Sequence, residues 1–209
     1  MDQIKKLKAY KATYGLASII CIVSLMAWLS AFSYDGRFIK FDFNSPYLLS
    51  LKDPQVYQII TSSLIHANLG HLILNIVFLL LFGIALEKKI GGGLTVFVFL
   101  ITSIVGDLFF IRWGSDLYNF ALGSSGGVMG VMGALLVVEP KYKLDIAYLG
   151  FGLNGRQIHL IYFSAVSLGI ESLLASHSDG IAHLAHGGGL ICGLLMGLIY
   201  RLCIRAQHP

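Results

Sequence analysis

Six long apolar stretches, separated by short polar segments, dominate the hydrophobic pattern of the chain. A helix that crosses a bilayer needs about 20 mostly apolar residues, and these stretches have that length or come close to it. They occupy residues 12–34, 70–86, 94–111, 125–138, 157–175 and 182–202. The pattern therefore predicts an all-α membrane protein with six transmembrane helices. We expect residues 1–209 to form a single membrane domain, with residues 1–11 as a basic N-terminal segment.

The composition supports a membrane location and excludes other classes of protein. Apolar residues make up 56% of the chain and charged residues 12%, whereas soluble domains carry about 25% charge. A disordered chain is polar and charged, so disorder is excluded. The three cysteines are odd in number and lie in apolar stretches, which argues against a disulfide-stapled secreted module. The net charge of +4 comes from short basic clusters between the stretches, so we expect a lipid bilayer and no nucleic acid as partner.

The basic residues are distributed unequally between the two sides of the predicted membrane domain. A cytoplasmic N-terminus places 11 of the 15 Lys and Arg residues inside. These are Lys5, Lys6, Lys8, Lys11, Lys88, Lys89, Lys141, Lys143, Arg156, Arg201 and Arg205. Because cytoplasmic loops carry an excess of Lys and Arg, we predict that both termini are cytoplasmic, in a cell membrane. The first stretch is longer than the core of a secretory signal and five more follow, so we expect it to be retained.

Polar side chains cluster at the start of the second, fourth and sixth stretches. With this orientation all three stretches begin at the outer face, so their first turns share a depth of about 5–15 Å. Polar side chains inside a membrane often tie helices together, but they also mark functional sites. Their meeting at one level predicts a site built from several helices. The residues are His66, His71 and Asn75 near the start of the second stretch, Ser125 in the fourth, and His183 and His186 in the sixth.

The spacing of glycines predicts that the fourth and sixth helices pack directly on each other. Small residues four apart let helix backbones approach closely. His186 falls on the glycine face of its helix, whereas His183 aligns with Gly187 and Leu190, so we expect His186 to lie near Ser125. The two faces consist of Gly126, Gly130 and Gly133 in the fourth helix and Gly189, Gly193 and Gly197 in the sixth.

Ser125 and His186 are suited to nucleophilic catalysis. A serine hydroxyl is a poor nucleophile until a base takes its proton, and a neutral imidazole can do so near pH 7. Ser125 lies where a loop enters a helix, so its N–H is free to bind a developing oxyanion. The alternative is that the serine caps the helix and the histidine is a packed core residue. No carboxylate is apparent as the third member of a catalytic triad. We expect Asp107 and Glu171 to have packing roles, and Asp179 lies too far from His186 along the helix axis. We therefore expect a Ser–His dyad.

Residues 60–200 resemble the rhomboid family of intramembrane serine proteases. Each motif is modest alone, but their order on these helices is specific. The six-helix core of that family, with the serine on the fourth helix and the histidine on the sixth, fits the six stretches. The motifs are His66-x4-His71-x3-Asn75, Glu87-Lys88-Lys89, Gly123-x-Ser125-Gly126 and Ala185-His186-x2-Gly189-x3-Gly193.

The resemblance implies a role for each matching residue. Ser125 matches the nucleophile and His186 the general base. His71 and Asn75 match side chains that form the oxyanion hole with the Ser125 N–H, and His66 matches a histidine with a supporting role.

The resemblance also implies how substrates reach the site. Residues 176–182 and the fifth helix match a cap and a side gate. Met129 stands where the family often has an aromatic residue stacked on the base, and its thioether can still make a soft contact with the imidazole. The implied substrates are transmembrane proteins with helix-destabilising and small residues near the cut, and no cofactor or metal is implied.

Two other functions stay open from the sequence. A non-catalytic relative that binds membrane proteins for quality control is expected to lack the serine or the histidine, and this chain has both. An intramembrane metalloprotease or metal transporter would use His66, His71, His183 and His186. Zinc proteases place a carboxylate beside their histidines, and only Asp179 is near these in sequence.

Overall fold

Seven α-helices make up most of the part of the chain that the structure describes. The structure, a computed structural model, describes residues 10–30, 45–114, 119–145, 157–174 and 182–207. Six helices coincide with the apolar stretches, and a short one precedes the second stretch. The helices are α1 (Lys11–Ser30), α2 (Gln58–Thr61), α3 (Leu69–Ile90), α4 (Gly92–Trp113), α5 (Ser125–Val138), α6 (Leu160–Leu174) and α7 (His183–Gln207), and a 3-10 turn (Ser62–Leu64) follows α2.

Four of the described helices, α1, α3, α4 and α7, are long and apolar enough to cross a membrane. The helices α5 and α6 are also apolar but shorter, with 14 and 15 residues. The chain is therefore a mostly helical, multi-pass membrane protein. Six crossings with both termini in the cytoplasm stay a prediction.

The helix α5 is short and lies inside the bundle. Fourteen residues rise about 21 Å, which is less than the roughly 30 Å thickness of the hydrocarbon layer. Nine residues of α5 are buried, so the helix lies inside the bundle and not along its lipid-facing side.

The helices α5 and α7 contact each other backbone to backbone. A Cβ atom added at Gly189 would overlap the carbonyl oxygen of Gly126, and one added at Gly193 would overlap that of Gly130. Only glycine at these positions allows such an approach, and the close approach maximises van der Waals contact. The prediction that the fourth and sixth helices pack directly on each other is confirmed.

A buried carboxylate on α3 holds the start of α1. Glu87 accepts hydrogen bonds from the Thr13 N–H (2.8 Å), the Thr13 hydroxyl (2.6 Å) and the Ala12 N–H (3.2 Å). The first N–H groups of a helix lack intrahelical acceptors and carry a partial positive charge, so a carboxylate stabilises them. This contact places the start of α1, including Lys11, at the same end of the bundle as the end of α3.

Two pairs of short antiparallel strands occur in a chain predicted to be all-α. They are β1 (Leu49–Ser50) with β2 (Phe120–Ala121), and β3 (Lys143–Asp145) with β4 (Gln157–His159). Strand pairing satisfies backbone N–H and C=O groups in segments that connect helices. The prediction that the fifth helix begins at residue 157 is wrong for this reason: residues Gln157–His159 pair with β3, and α6 begins at Leu160. Of the predicted first helix, residues 31–34 lie outside the described residues.

Candidate active site

Ser125 is the first residue of α5, and the loop before it is tied to the rest of the fold. The β2 strand of this loop pairs with β1, and the Gly123 N–H donates to the carbonyl oxygen of Ser62 (2.9 Å). Gly123 has a φ of 113°, a conformation that other residues rarely adopt. The loop therefore fixes where α5 begins, and the Ser125 N–H belongs to the first turn, which has no intrahelical acceptors.

His186 lies in the first turn of α7 and meets Ser125. The imidazole Nε2 is 2.7 Å from the Ser125 Oγ, a hydrogen-bond distance, and both side chains are half-buried. The serine hydroxyl donates to Nε2 when the proton of the neutral ring is on Nδ1. His183, one turn earlier, is buried and presents its ring edge-on to His186 at 6.2 Å between centroids. The hydrogen bond from the Ser125 hydroxyl to His186 Nε2 is the geometry that a nucleophile and its base require.

His71 and Asn75 lie one turn apart on α3 and face the same space. The His71 ring packs on the Cα of Gly123, since a Cβ added there would lie 2.7 Å from the ring carbon Cε1 and 2.9 Å from Nε2. The Asn75 amide is buried, and its Nδ2 donates to the His71 carbonyl oxygen (3.0 Å). An amide carries two hydrogens, so one remains for another acceptor. Gly123 is thus required both by its backbone conformation and by the histidine ring beside it.

His66 lies behind the site, in the loop before α3, and is fully buried. The Ser24 hydroxyl donates to the Leu64 carbonyl oxygen (3.0 Å) and lies 3.0 Å from His66 Nδ1. A hydroxyl has one hydrogen, so His66 donates from Nδ1 and accepts at Nε2. At Nε2 the ring accepts hydrogen bonds from the Ser124 N–H (3.3 Å) and the Ser124 hydroxyl (3.1 Å). His66 therefore links α1 to the residue just before Ser125.

Burial determines the charge of His66. Loss of solvent lowers its pKa from the ordinary 6.5 to about 3, and repulsion from His71 acts in the same direction. The two rings are 4.9 Å apart between centroids. His66 is therefore neutral near pH 7, which suits a ring that donates at one nitrogen and accepts at the other.

A cavity of about 800 Å³ opens beside Ser125 and His186. His71 and Asn75 also line it, so the four polar side chains share one space. A water molecule occupies roughly 30 Å³ of liquid volume, so the cavity has room for water and for part of a substrate. Its apolar walls come mainly from α3, α5 and α6 and include Leu74, Phe78, Phe82, Val128, Met129, Phe163 and Ile170.

The acidic residues considered as a third catalytic member or as metal ligands are not placed beside Ser125 and His186 by the described part of the structure. Asp107, buried on α4, accepts a hydrogen bond from the Ser62 hydroxyl (3.2 Å), which ties α4 to the 3-10 turn. Two of the expected features lie outside the described residues. They are the side chain of Glu171 and the part of the predicted cap at residues 176–181, which includes Asp179. Within the described ranges, no three His, Cys, Asp or Glu side chains are grouped to hold a metal ion.

Several residues around the site were not predicted from the sequence. Ser24 and Trp28 of α1 hold His66, the latter through a hydrogen bond from its indole N–H to the His66 carbonyl oxygen (2.6 Å). Nothing in an apolar first stretch distinguishes these residues from lipid-facing neighbours. Ser124 and Gly123 carry a weak signal, because they adjoin Ser125 in a Gly-Ser-Ser-Gly sequence.

The fold and the site define a multi-pass membrane protein with a Ser–His hydrogen bond beside a cavity. A family model described as the rhomboid domain matches residues 53–203. The chain therefore belongs to the rhomboid family.

Individual relatives agree with this assignment. The chain is 33% identical over 145 residues to the rhomboid protease GlpG of Photorhabdus laumondii subsp. laumondii, covering 69% of this chain and 47% of the relative. It is 26% identical over 154 residues to the rhomboid protease AarA of Providencia stuartii, covering 68% and 54%. It is 30% identical over 161 residues to RHOMBOID-like protein 1 of Arabidopsis thaliana, covering 74% and 36%. The chain thus spans between 36% and 54% of the length of these relatives.

Proposed function

We propose that this chain is an intramembrane serine endopeptidase that cleaves transmembrane proteins in a cell membrane. Residues 1–209 would act as one membrane domain. The observation that carries the proposal is the 2.7 Å hydrogen bond between Ser125 Oγ and His186 Nε2 beside a cavity. Membership of a family that includes proteins named rhomboid proteases supports it.

In the first step His186 acts as general base and Ser125 as nucleophile. The imidazole Nε2 takes the hydroxyl proton while Oγ bonds to the scissile carbonyl carbon, which gives a tetrahedral oxyanion and an imidazolium. The carbon–nitrogen bond then breaks, and the leaving amine takes the proton from Nε2. An acyl group remains on Ser125. Water attacks this ester with His186 again as base, which releases the acid and restores the serine.

The oxyanion needs donors that already point at the place where negative charge develops. The Ser125 N–H is one, because it lies in the first turn of α5. The proposed side-chain donors are His71 and Asn75, both of which line the cavity. Asn75 supplies the amide hydrogen that His71 does not occupy. Removing one such donor typically costs about 3–4 kcal/mol in the activation free energy.

Hydrolysis in a membrane also requires water and an unwound substrate. The bilayer core holds no water, and polar groups at depth are tolerated where they line a water-filled cavity. The 800 Å³ cavity supplies this space. A helical substrate hides its carbonyl groups in its own hydrogen bonds, so we expect cleavage near helix-destabilising or small residues.

The test is cleavage of a labelled transmembrane substrate by the purified protein in detergent. We expect Ser125→Ala and His186→Ala to lower the rate by about 10³-fold or more, since a nucleophile and its base act as a unit. Ser167→Ala, another serine that lines the cavity, and His183→Gln, the neighbouring histidine, are the matched controls and should retain most activity. Retained cleavage in either Ser125→Ala or His186→Ala would reject the proposal.

Two further measurements separate the competing functions. A serine-directed reagent should label Ser125 in the wild type and fail to label it in His186→Ala. Loss of activity with a chelator and recovery with zinc would instead favour a metalloprotease. A non-catalytic relative would bind the substrate without cleavage and without labelling of Ser125.

A further inference from the structure

A second cavity lies at the opposite end of the bundle from Ser125. It has a volume of about 370 Å³ and lies between the last turn of α3 and the segment that connects α5 to β3. From His71 to Lys88 the α3 helix rises about 25 Å, so this cavity is well separated from the Ser–His pair. The lining residues are Ala85, Lys88, Lys89, Glu139, Lys141, Tyr142 and Lys143.

The side chains around this cavity, named here the lysine pocket, are strongly basic. Four lysines face one glutamate, which leaves three positive charges in excess. Glu139 pairs with Lys89. In the described ranges, no carboxylate forms an ion pair with Lys88, Lys141 or Lys143. Like charges that converge repel one another, and an anion between them relieves that repulsion.

The lysine pocket lies where the head groups of a lipid layer are expected. Lys88 and Lys89 occupy the last turn of α3, a helix long and apolar enough to cross the membrane. The floor of the pocket is less polar: Ala85 is half-buried, and Tyr142 packs against the core of the bundle. Burial raises the pKa of the Tyr142 hydroxyl, so the group stays protonated and can donate a hydrogen bond. A basic rim over a less polar floor suits a phosphate attached to an apolar body.

We propose that the lysine pocket binds the phosphate of an anionic phospholipid in the leaflet at this end of the bundle. Each lysine offers three N–H donors and a positive charge to the phosphate oxygens. A zwitterionic phospholipid carries its own cation, which cancels much of this attraction. Free phosphate offers the same oxygens but lacks the acyl chains that hold a lipid beside the helices. Basic pockets between helices are a known form of lipid recognition in membrane proteins.

The test measures lipid binding to the full chain in detergent micelles by native mass spectrometry. The probes are phosphatidylglycerol, phosphatidylcholine and inorganic phosphate. We expect binding of phosphatidylglycerol, with little binding of the other two. Equal binding of phosphatidylcholine, or binding of inorganic phosphate as tight as that of phosphatidylglycerol, would overturn the proposal.

Charge variants decide whether binding occurs in the lysine pocket. Lys141→Gln and Lys143→Gln should each weaken phosphatidylglycerol binding about fivefold, which corresponds to about 1 kcal/mol per lysine near a membrane surface. Lys11→Gln removes the same charge at the same end of the bundle without altering the pocket, and should change binding less than twofold. Glu139→Gln removes the competing carboxylate and should tighten binding.

Two outcomes contradict this assignment. One is equal weakening by Lys11→Gln and by the pocket variants, which would mean attraction by the whole surface. The other is unchanged binding in both pocket variants. The unfolding temperature of each variant without added lipid shows that the fold is retained, since the exchanged lysines are exposed.

Discussion

The pair α5–α7 and the helix α6 border the same cavity but pack in opposite ways. Nine of the 14 residues of α5 are buried, and its glycines meet the backbone of α7. In α6, Leu160 and Ser164 are the buried residues among those whose side chains are described. Phe163 packs against the rings of Phe78 and Phe82, and most of the other apolar residues of α6 are exposed, with Tyr162 67% and Leu173 77% exposed.

The difference follows from side-chain size. Lipid tails are as apolar as leucine, so helices in a membrane are not driven together by the hydrophobic effect and depend on close packing. Glycine faces permit that packing in α5 and α7, whereas α6 carries bulky residues. The consequence is that Ser125 and His186 are fixed by the tightly packed pair, while α6 is the weakly held wall of the cavity.

The largest expected difference between the two regions comes from adding one methyl group to a glycine in each of them. Gly193→Ala places a Cβ onto the Gly130 carbonyl oxygen, so the two helices must separate. We expect a loss of about 4 kcal/mol or more in the free energy of unfolding, with loss of any Ser125-dependent activity. Denaturation in detergent micelles measures the change.

The matched variant for α6 is Gly169→Ala. Apart from the backbone of its own helix, no atom lies within 4 Å of the added Cβ, so no clash opposes alanine. Because alanine favours a helix over glycine by about 0.5–1 kcal/mol, stability should be unchanged or rise slightly. A similar loss in both variants would show that the two regions do not differ in packing.

Truncation of a leucine tests the same contrast with a smaller expected effect. Leu135 of α5 is completely buried, and Leu135→Ala should cost about 3 kcal/mol through lost contacts and a cavity. Leu173→Ala on α6 removes a mostly exposed side chain and should cost well under 1 kcal/mol. Thermal unfolding of the two variants at equal detergent concentration provides the measurement.

The smallest expected effect is a pH dependence of stability, and it concerns His66, which holds the loop before α5. The pKa of His66 is about 3 in the folded protein and 6.5 ordinarily, so protonation favours the unfolded state. Stability should therefore fall as the pH drops below 6.5, by at most about 1.4 kcal/mol per pH unit for this group. His66→Gln should flatten the slope between pH 6.5 and 5, and an identical slope in both proteins would contradict the assignment.

Local features of the sequence were enough to predict much of the fold and the candidate site. The apolar stretches predicted six of the seven described α-helices, since a helix in a membrane requires a run of apolar residues. The glycine spacing predicted the α5–α7 contact and placed His186, not His183, beside Ser125. The structure brings these two residues together at 2.7 Å.

Other features depended on contacts between distant parts of the chain. The helix α6 begins three residues later than predicted, because residues 157–159 pair with β3 as a strand. The pattern of apolar residues does not reveal that pairing. The lysine pocket likewise required α3 and the segment after α5 to end side by side.

The sequence by itself determined the class of protein, the order of the helices and which helices carry the polar residues of the site, because these follow from composition and periodicity within single helices. The tertiary structure alone decided which nitrogen of His66 donates, which face of α6 is buried and where the basic residues converge. Each depends on contacts between distant parts of the chain: His66, for example, meets both Ser24 and Ser124, and these contacts form only when the bundle is packed.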